Sequence, residues 1–162
     1  MADDSHRLVI VRHAKSAWPD GVPDEKRPLN KRGRRDAPAV GRWLRKRIGR
    51  PRAVVCSPAA RTRETWALVA DELGKAPDPV FDKRVYEASA RKLLAVVRDL
   101  PDGVGPAVLI GHNPGLADLV ELLTGKSPEM KTSAIAVLDV AGSWADARPG
   151  GAELVEYATP RG

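Results

Sequence analysis

Cysteine is almost absent from this chain: Cys56 is the single thiol among 162 residues. One cysteine forms no intrachain disulfide and builds no cysteine-rich metal site, so it reads as a small buried residue. Aromatic residues make only 4% of the chain, which leaves no array of ring faces on which nucleic-acid bases would stack. No apolar run approaches the ~20 residues of a membrane-spanning helix. The opening Met-Ala-Asp-Asp-Ser-His stretch is acidic and leaves no room for a secretory leader. No membrane association and a cytoplasmic location are therefore expected.

What is present suits one folded domain spanning residues 1–162. Hydrophobic residues make 43% and charged residues 30%, the balance of a soluble chain large enough to bury a core. The charge of +6 is unevenly spread. Residues 26–52 hold twelve Lys or Arg against Asp36 alone, a net +11, and the rest of the chain is −5. Such a segment reads either as a solvated helix face or as a docking surface for an acidic partner.

Leu8-Val9-Ile10-Val11 is a run of four aliphatic residues, the pattern of a strand buried on both faces of a parallel sheet. Two more such runs follow, Ala53-Val54-Val55-Cys56 and Ala107-Val108-Leu109-Ile110. Helical patterns separate them. A helix is predicted from Asn30, its N-cap, to Ile48, with Ala37, Val40, Leu44 and Ile48 on one face, and with Pro38 either kinking it or setting its first turn apart. Ser57-Pro58 reads as N-cap and first helical residue of a second helix that ends at Gly74. An extended stretch is expected over Val80–Tyr86, then a helix capped by Ser89, and a last helix started by Asn113-Pro114. Residues 134–140 and 152–157 close the chain as a hairpin. This order gives a three-layer α/β/α sandwich whose central sheet is mostly parallel with an antiparallel edge.

Polar groups gather at the carboxyl ends of the three apolar strands, the edge where open α/β sheets bind ligands. Arg12-His13 follow the first, Ser57 and Arg61 the second, and His112 the third. Guanidinium forks and helix N-termini match phosphate oxygens, and histidine serves as nucleophile, acid, base or donor. No carboxylate joins them at metal-ligand spacing. The set points to phosphoryl transfer without a metal or other cofactor.

Arg12-His13-Ala14, Ser57-Pro58-x-x-Arg61-x-x-x-Thr65 and Gly111-His112-Asn113 resemble, in order, the three motifs of the histidine phosphatase superfamily, whose best-known member is phosphoglycerate mutase. Asp24-x-x-Arg27-Pro28-Leu29 with Arg32-Gly33, Tyr86-Glu87-Ala88-Ser89 and Lys131-Thr132-Ser133-Ala134 are similar to its small SixA-like branch of phosphohistidine phosphatases. The resemblance spans roughly residues 7–140 and implies a phosphoglycerate mutase-like fold. It further implies that His13 is the nucleophile that becomes phosphorylated, and that Arg12, Arg61 and His112 hold the phosphoryl oxygens. Lys15 and Ser16 are additional candidates for phosphate contact, and Thr65 is expected to pack within its helix. Larger relatives carry a proton-donating carboxylate on an inserted segment; here the short stretch 80–89 offers Glu87, and the first loop offers Asp20, Asp24 and Glu25. The expected partner is a phosphorylated protein or a small phosphorylated molecule, handled by a monomer. A non-catalytic phosphate- or nucleic-acid-binding module is the alternative, with nucleic acid disfavoured by the scarcity of aromatic residues.

Overall fold

A computed structural model describes residues 5–162. Six strands form one sheet in the order β3-β2-β4-β1-β5-β6, where β1 is Ser5–Arg12, β2 Ala53–Cys56, β3 Val80–Phe81, β4 Ala107–Gly111, β5 Ile135–Ala141 and β6 Ala152–Ala158. β3, β2, β4 and β1 run parallel, while β5 pairs antiparallel with β1 and with β6. Four helices flank the sheet: α1 Lys31–Arg47, α2 Ala60–Leu73, α3 Ala90–Arg98 and α4 Gly115–Thr124. The expected mixed sandwich with an antiparallel edge is the observed fold.

The apolar run in β1 divides between two cores because alternate strand residues face opposite sides. Leu8 and Ile10 pack with Leu93, Leu116 and Leu119 of α3 and α4. Val9 and Val11 pack with Val40, Leu44, Trp66 and Val69 of α1 and α2. All four strand residues are at most 1% exposed. Full burial of such a side chain contributes about 1.5–3 kcal/mol, so β1 anchors both layers.

Asn30 caps α1 as expected, its side chain accepting from the Gly33 amide at 2.9 Å. Gly33 is required by the approach of the preceding loop: a Cβ there would lie 2.1 Å from the Lys15 carbonyl oxygen. Several basic side chains of 26–52 are paired along this face, Arg32 with Asp36, Arg42 with Glu72 and Arg47 with Glu156.

Three local expectations differ. α1 runs unbroken from Lys31 to Arg47 with Pro38 inside it, so no separate first turn forms. The stretch 80–86 is extended only at Val80–Phe81, because the Asp82 carboxylate accepts from the Arg84 amide and turns the chain into a short 3-10 helix over Lys83–Val85. That turn buries Val85 and delivers Tyr86 to the sheet edge. Ser57-Pro58 do not open α2, which begins at Ala60. Ser57 Oγ accepts from the Ala59 amide in a turn before the helix, at 3.2 Å, and its hydroxyl is thereby free for the site.

Candidate active site

β2, β4 and β1 are adjacent, so their carboxyl ends deliver their polar residues to one place. Arg12 pairs in register with Gly111, and Cys56 with Ile110. His13, Ser57 and His112 follow directly from those pairs.

His13 is 6% exposed. Its Nδ1 lies 2.7 Å from the Ala14 carbonyl oxygen, which can only accept, so Nδ1 carries the ring proton and Nε2 keeps its lone pair. Burial, followed by the neighbouring His112, Arg61 and Arg12, pushes its pKa down to about 3, against the opposing effect of the Ala14 carbonyl. A neutral, oriented imidazole results. The loop is tied down by Thr65, whose Oγ1 accepts from the Ala14 amide at 3.0 Å and donates to the Arg61 carbonyl at 2.7 Å. Thr65 thus does more than pack within its helix: it joins the His13 loop to the turn that bears Arg61.

His112 faces His13 with ring centroids 5.3 Å apart, and its Nε2 is 2.8 Å from Ser57 Oγ. Of the Ser57 hydroxyl's two partners, the Ala59 amide and His112, only His112 can accept. The hydroxyl therefore donates to Nε2, and the His112 proton sits on Nδ1. Burial, then Arg61, hold this ring's pKa at about 4.

Arg61 sits in the first turn of α2, 6% exposed, and Arg12 ends β1 with Nη1 on the Met130 carbonyl at 3.1 Å. Burial and the charge of Arg61 lower the pKa of Arg12, the mark of two cations held together without full neutralisation. Three buried nitrogens on these side chains have no protein partner: Arg12 Nε, Arg61 Nε and His112 Nδ1. Buried donors left unpaired are costly, and these three belong to side chains close enough to His13 to lower its pKa, a set suited to an anion.

Asp24 is the carboxylate that the structure brings into this set. It lies on a short 3-10 turn, Asp24–Lys26, inside the loop between β1 and α1. Its Oδ2 accepts from Arg61 Nη2 at 3.1 Å and from the Tyr86 hydroxyl at 2.5 Å, and its Oδ1 from Arg27 Nε at 3.0 Å. Tyr86, then Arg27 and Arg61, hold its pKa at about 2. Glu87 also lines the cleft, exposed and without a hydrogen bond or ion pair among the described residues.

Lys15 and Ser16 lie in the loop that follows β1. Lys15 is exposed and its carbonyl accepts from the Asn30 amide. Ser16 is buried against Arg27, accepting from Nη1 at 2.8 Å, so it buttresses the loop. Cys56 is buried, and desolvation pushes its thiol up to about 12, which makes it inert. Sequence reasoning missed Ser57 as the partner of His112, and Arg27 and Tyr86 as the groups that hold Asp24. Among the described residues no three His, Cys, Asp or Glu side chains stand together where they could hold a metal ion.

An α/β sandwich with paired histidines and guanidiniums at its carboxyl edge defines a domain built for phosphoryl groups. The chain belongs to the histidine phosphatase superfamily (branch 1), whose family model matches residues 8–93. It is 38% identical over 162 residues to the uncharacterised Mycobacterium tuberculosis protein Rv1276c, covering 93% of this chain and all of that protein. A solved structure from Nakamurella multipartitia, provisionally assigned as the phosphohistidine phosphatase SixA, superposes with a TM-score of 0.88 at 30% identity over 99% of both chains. Another of the same provisional assignment, from Agrobacterium tumefaciens, gives 0.83 at 27% identity, covering 96% of this chain and 98% of that one. Family and neighbours together imply a phosphatase.

Proposed function

We propose that this chain is a metal-independent phosphatase that works through a phosphohistidine intermediate on His13 and removes phosphate from phosphohistidine displayed on proteins. The observation that carries the reading is a neutral His13 with Nε2 unprotonated, beside Arg12, Arg61 and His112, which are near enough to lower its pKa and each keep a buried nitrogen without a protein partner. In this reading Nε2 attacks phosphorus in line. The two guanidiniums and His112 Nδ1–H stabilise the charge on the equatorial oxygens, the main catalytic resource in phosphoryl transfer. Water then cleaves the phosphoenzyme.

Two features favour phosphohistidine as substrate. The cleft, about 460 Å³, is bordered by the short stretch Tyr86–Ser89 rather than by a long insertion, so a phosphate carried on a protein can enter. Imidazole, with a pKa of about 6.5, is also a far better leaving group than an alkoxide. The test is turnover of a phosphohistidine protein, an aryl phosphate and a sugar phosphate, each with and without chelator. Fastest turnover of the phosphohistidine protein, unaffected by chelation, is expected. A sugar phosphate turned over fastest would establish the metabolite reading, and loss of activity on chelation would refute metal independence.

A further inference from the structure

The Asp24 carboxylate sits at the mouth of a phosphoryl site, where a second anion repels the substrate, and that cost needs a reason. A proton donor to the leaving group does not supply it. Asp24 is wrapped in three donors, from Arg27, Arg61 and Tyr86, and a carboxyl group so surrounded is an acceptor with no proton to give. Two carboxylate oxygens offer about four acceptor positions. Oδ2 uses two, on Arg61 and Tyr86, and Oδ1 uses one, on Arg27. One position on Oδ1 is left, on a side chain 45% exposed that lines the cleft with Arg61, Tyr86 and His112. The group that fits an ionised acceptor beside a departing phosphoryl group is a cationic N–H.

We propose that Asp24 accepts the far ring N–H of a phosphorylated imidazole and thereby selects phosphohistidine over phosphate esters. The inference rests on the phosphatase reading above. An imidazole phosphorylated on one nitrogen and protonated on the other carries a positive charge on its ring, and the carboxylate stabilises that form. As His13 Nε2 forms its bond to phosphorus, the substrate P–N bond breaks and its electron pair stays on the departing nitrogen. The leaving ring keeps its proton on the far nitrogen and departs as neutral imidazole, so no acid is consumed. The arrangement is matched on the enzyme's side, where the Ala14 carbonyl accepts Nδ1–H of the ring that receives the phosphoryl group. Phosphate passes from one N–H-bonded imidazole to another. Tyr86 and Arg27 are then positioning residues that fix the carboxylate.

The test is kcat/KM for phosphoimidazole and for p-nitrophenyl phosphate, measured in the wild type, Asp24→Asn and Asp24→Glu. The ratio of the first to the second is expected to fall at least tenfold in Asp24→Asn and to recover partly in Asp24→Glu, which restores the charge. A ratio that is unchanged, or that rises because ester hydrolysis suffers more, overturns the proposal in favour of a structural or proton-donating Asp24. A parallel fall on both substrates leaves the ratio unchanged and overturns it equally. A wild type that hydrolyses p-nitrophenyl phosphate and not phosphoimidazole refutes the phosphohistidine reading itself, which separates the two failures.

Discussion

Two histidines held neutral inside the fold make its stability depend on pH in a calculable way. An unfolded histidine titrates near 6.5, whereas His13 is pushed down to about 3 and His112 to about 4. As pH falls below 6.5 the unfolded chain binds protons that the native rings refuse, so stability is lost in the acid direction. Each histidine contributes about 1.4 kcal/mol per pH unit across that window, so lowering the pH from 7 to 5 removes about 2 kcal/mol per ring and about 4 for the pair. His112 is only partly buried, and solvent screening trims its share. Asp24, held at about 2, titrates below this window, and its own loss begins only under about pH 5. Urea unfolding at pH 7, 6 and 5 measures the slope directly. Replacing His13 by Asn removes one titrating ring, and the slope should fall by about half. A wild-type stability that is flat between pH 7 and 5, or a slope unaltered in His13→Asn, would refute the assignment of neutral, strongly depressed rings.

The remaining predictions concern the residues around His13. Arg61→Ala should lower kcat/KM on an aryl phosphate about 10²–10³-fold, since it deletes a preorganised donor to transition-state charge; steady-state kinetics on folded protein would contradict this if the loss were under tenfold. Thr65→Val should cost about 1–3 kcal/mol, because the Ala14 amide loses its acceptor inside the fold, and it should lower kcat by loosening the His13 loop; denaturant midpoints and kinetics together check both effects. If Glu87 is the proton donor for poor leaving groups, Glu87→Gln should slow a sugar phosphate while sparing phosphoimidazole, and unchanged sugar phosphate rates would remove it from that role.

Strand ends and their motifs were legible because their signals are local: a four-residue apolar run places Arg12-His13 or His112 at the sheet edge whatever surrounds it. The capping of α1 by Asn30 was legible for the same reason. Ser57 was harder, because serine before proline is equally a helix cap, and only the position of His112, 55 residues on, decides where its hydroxyl points. The branch motif contains Asp24 and not Asp20 or Glu25, but it does not say which of the three carboxylates meets the cations of the site. A loop carboxylate is recruited by whichever cations the fold brings to it, here Arg61 from α2 and Arg27 from the same loop. The 3-10 turn over Lys83–Val85 was hidden because Val80 to Tyr86 carries β-favouring residues, and one side-chain bond from Asp82 outweighs that weak preference. Ser16 lies close to the nucleophile in sequence, yet its hydroxyl is taken by Arg27. Adjacency in sequence was there a poor guide to contact.

The central claim is that His13 Nε2 takes the phosphoryl group. Rapid quenching of the enzyme with a phosphorus-labelled substrate, followed by peptide mapping under alkaline conditions, tests it most directly. The account predicts an acid-labile phosphate on His13, attached at Nε2 and absent from His13→Ala, which should also lose turnover. A label on another residue, or a His13→Ala variant that still turns substrate over at the wild-type rate, would contradict it.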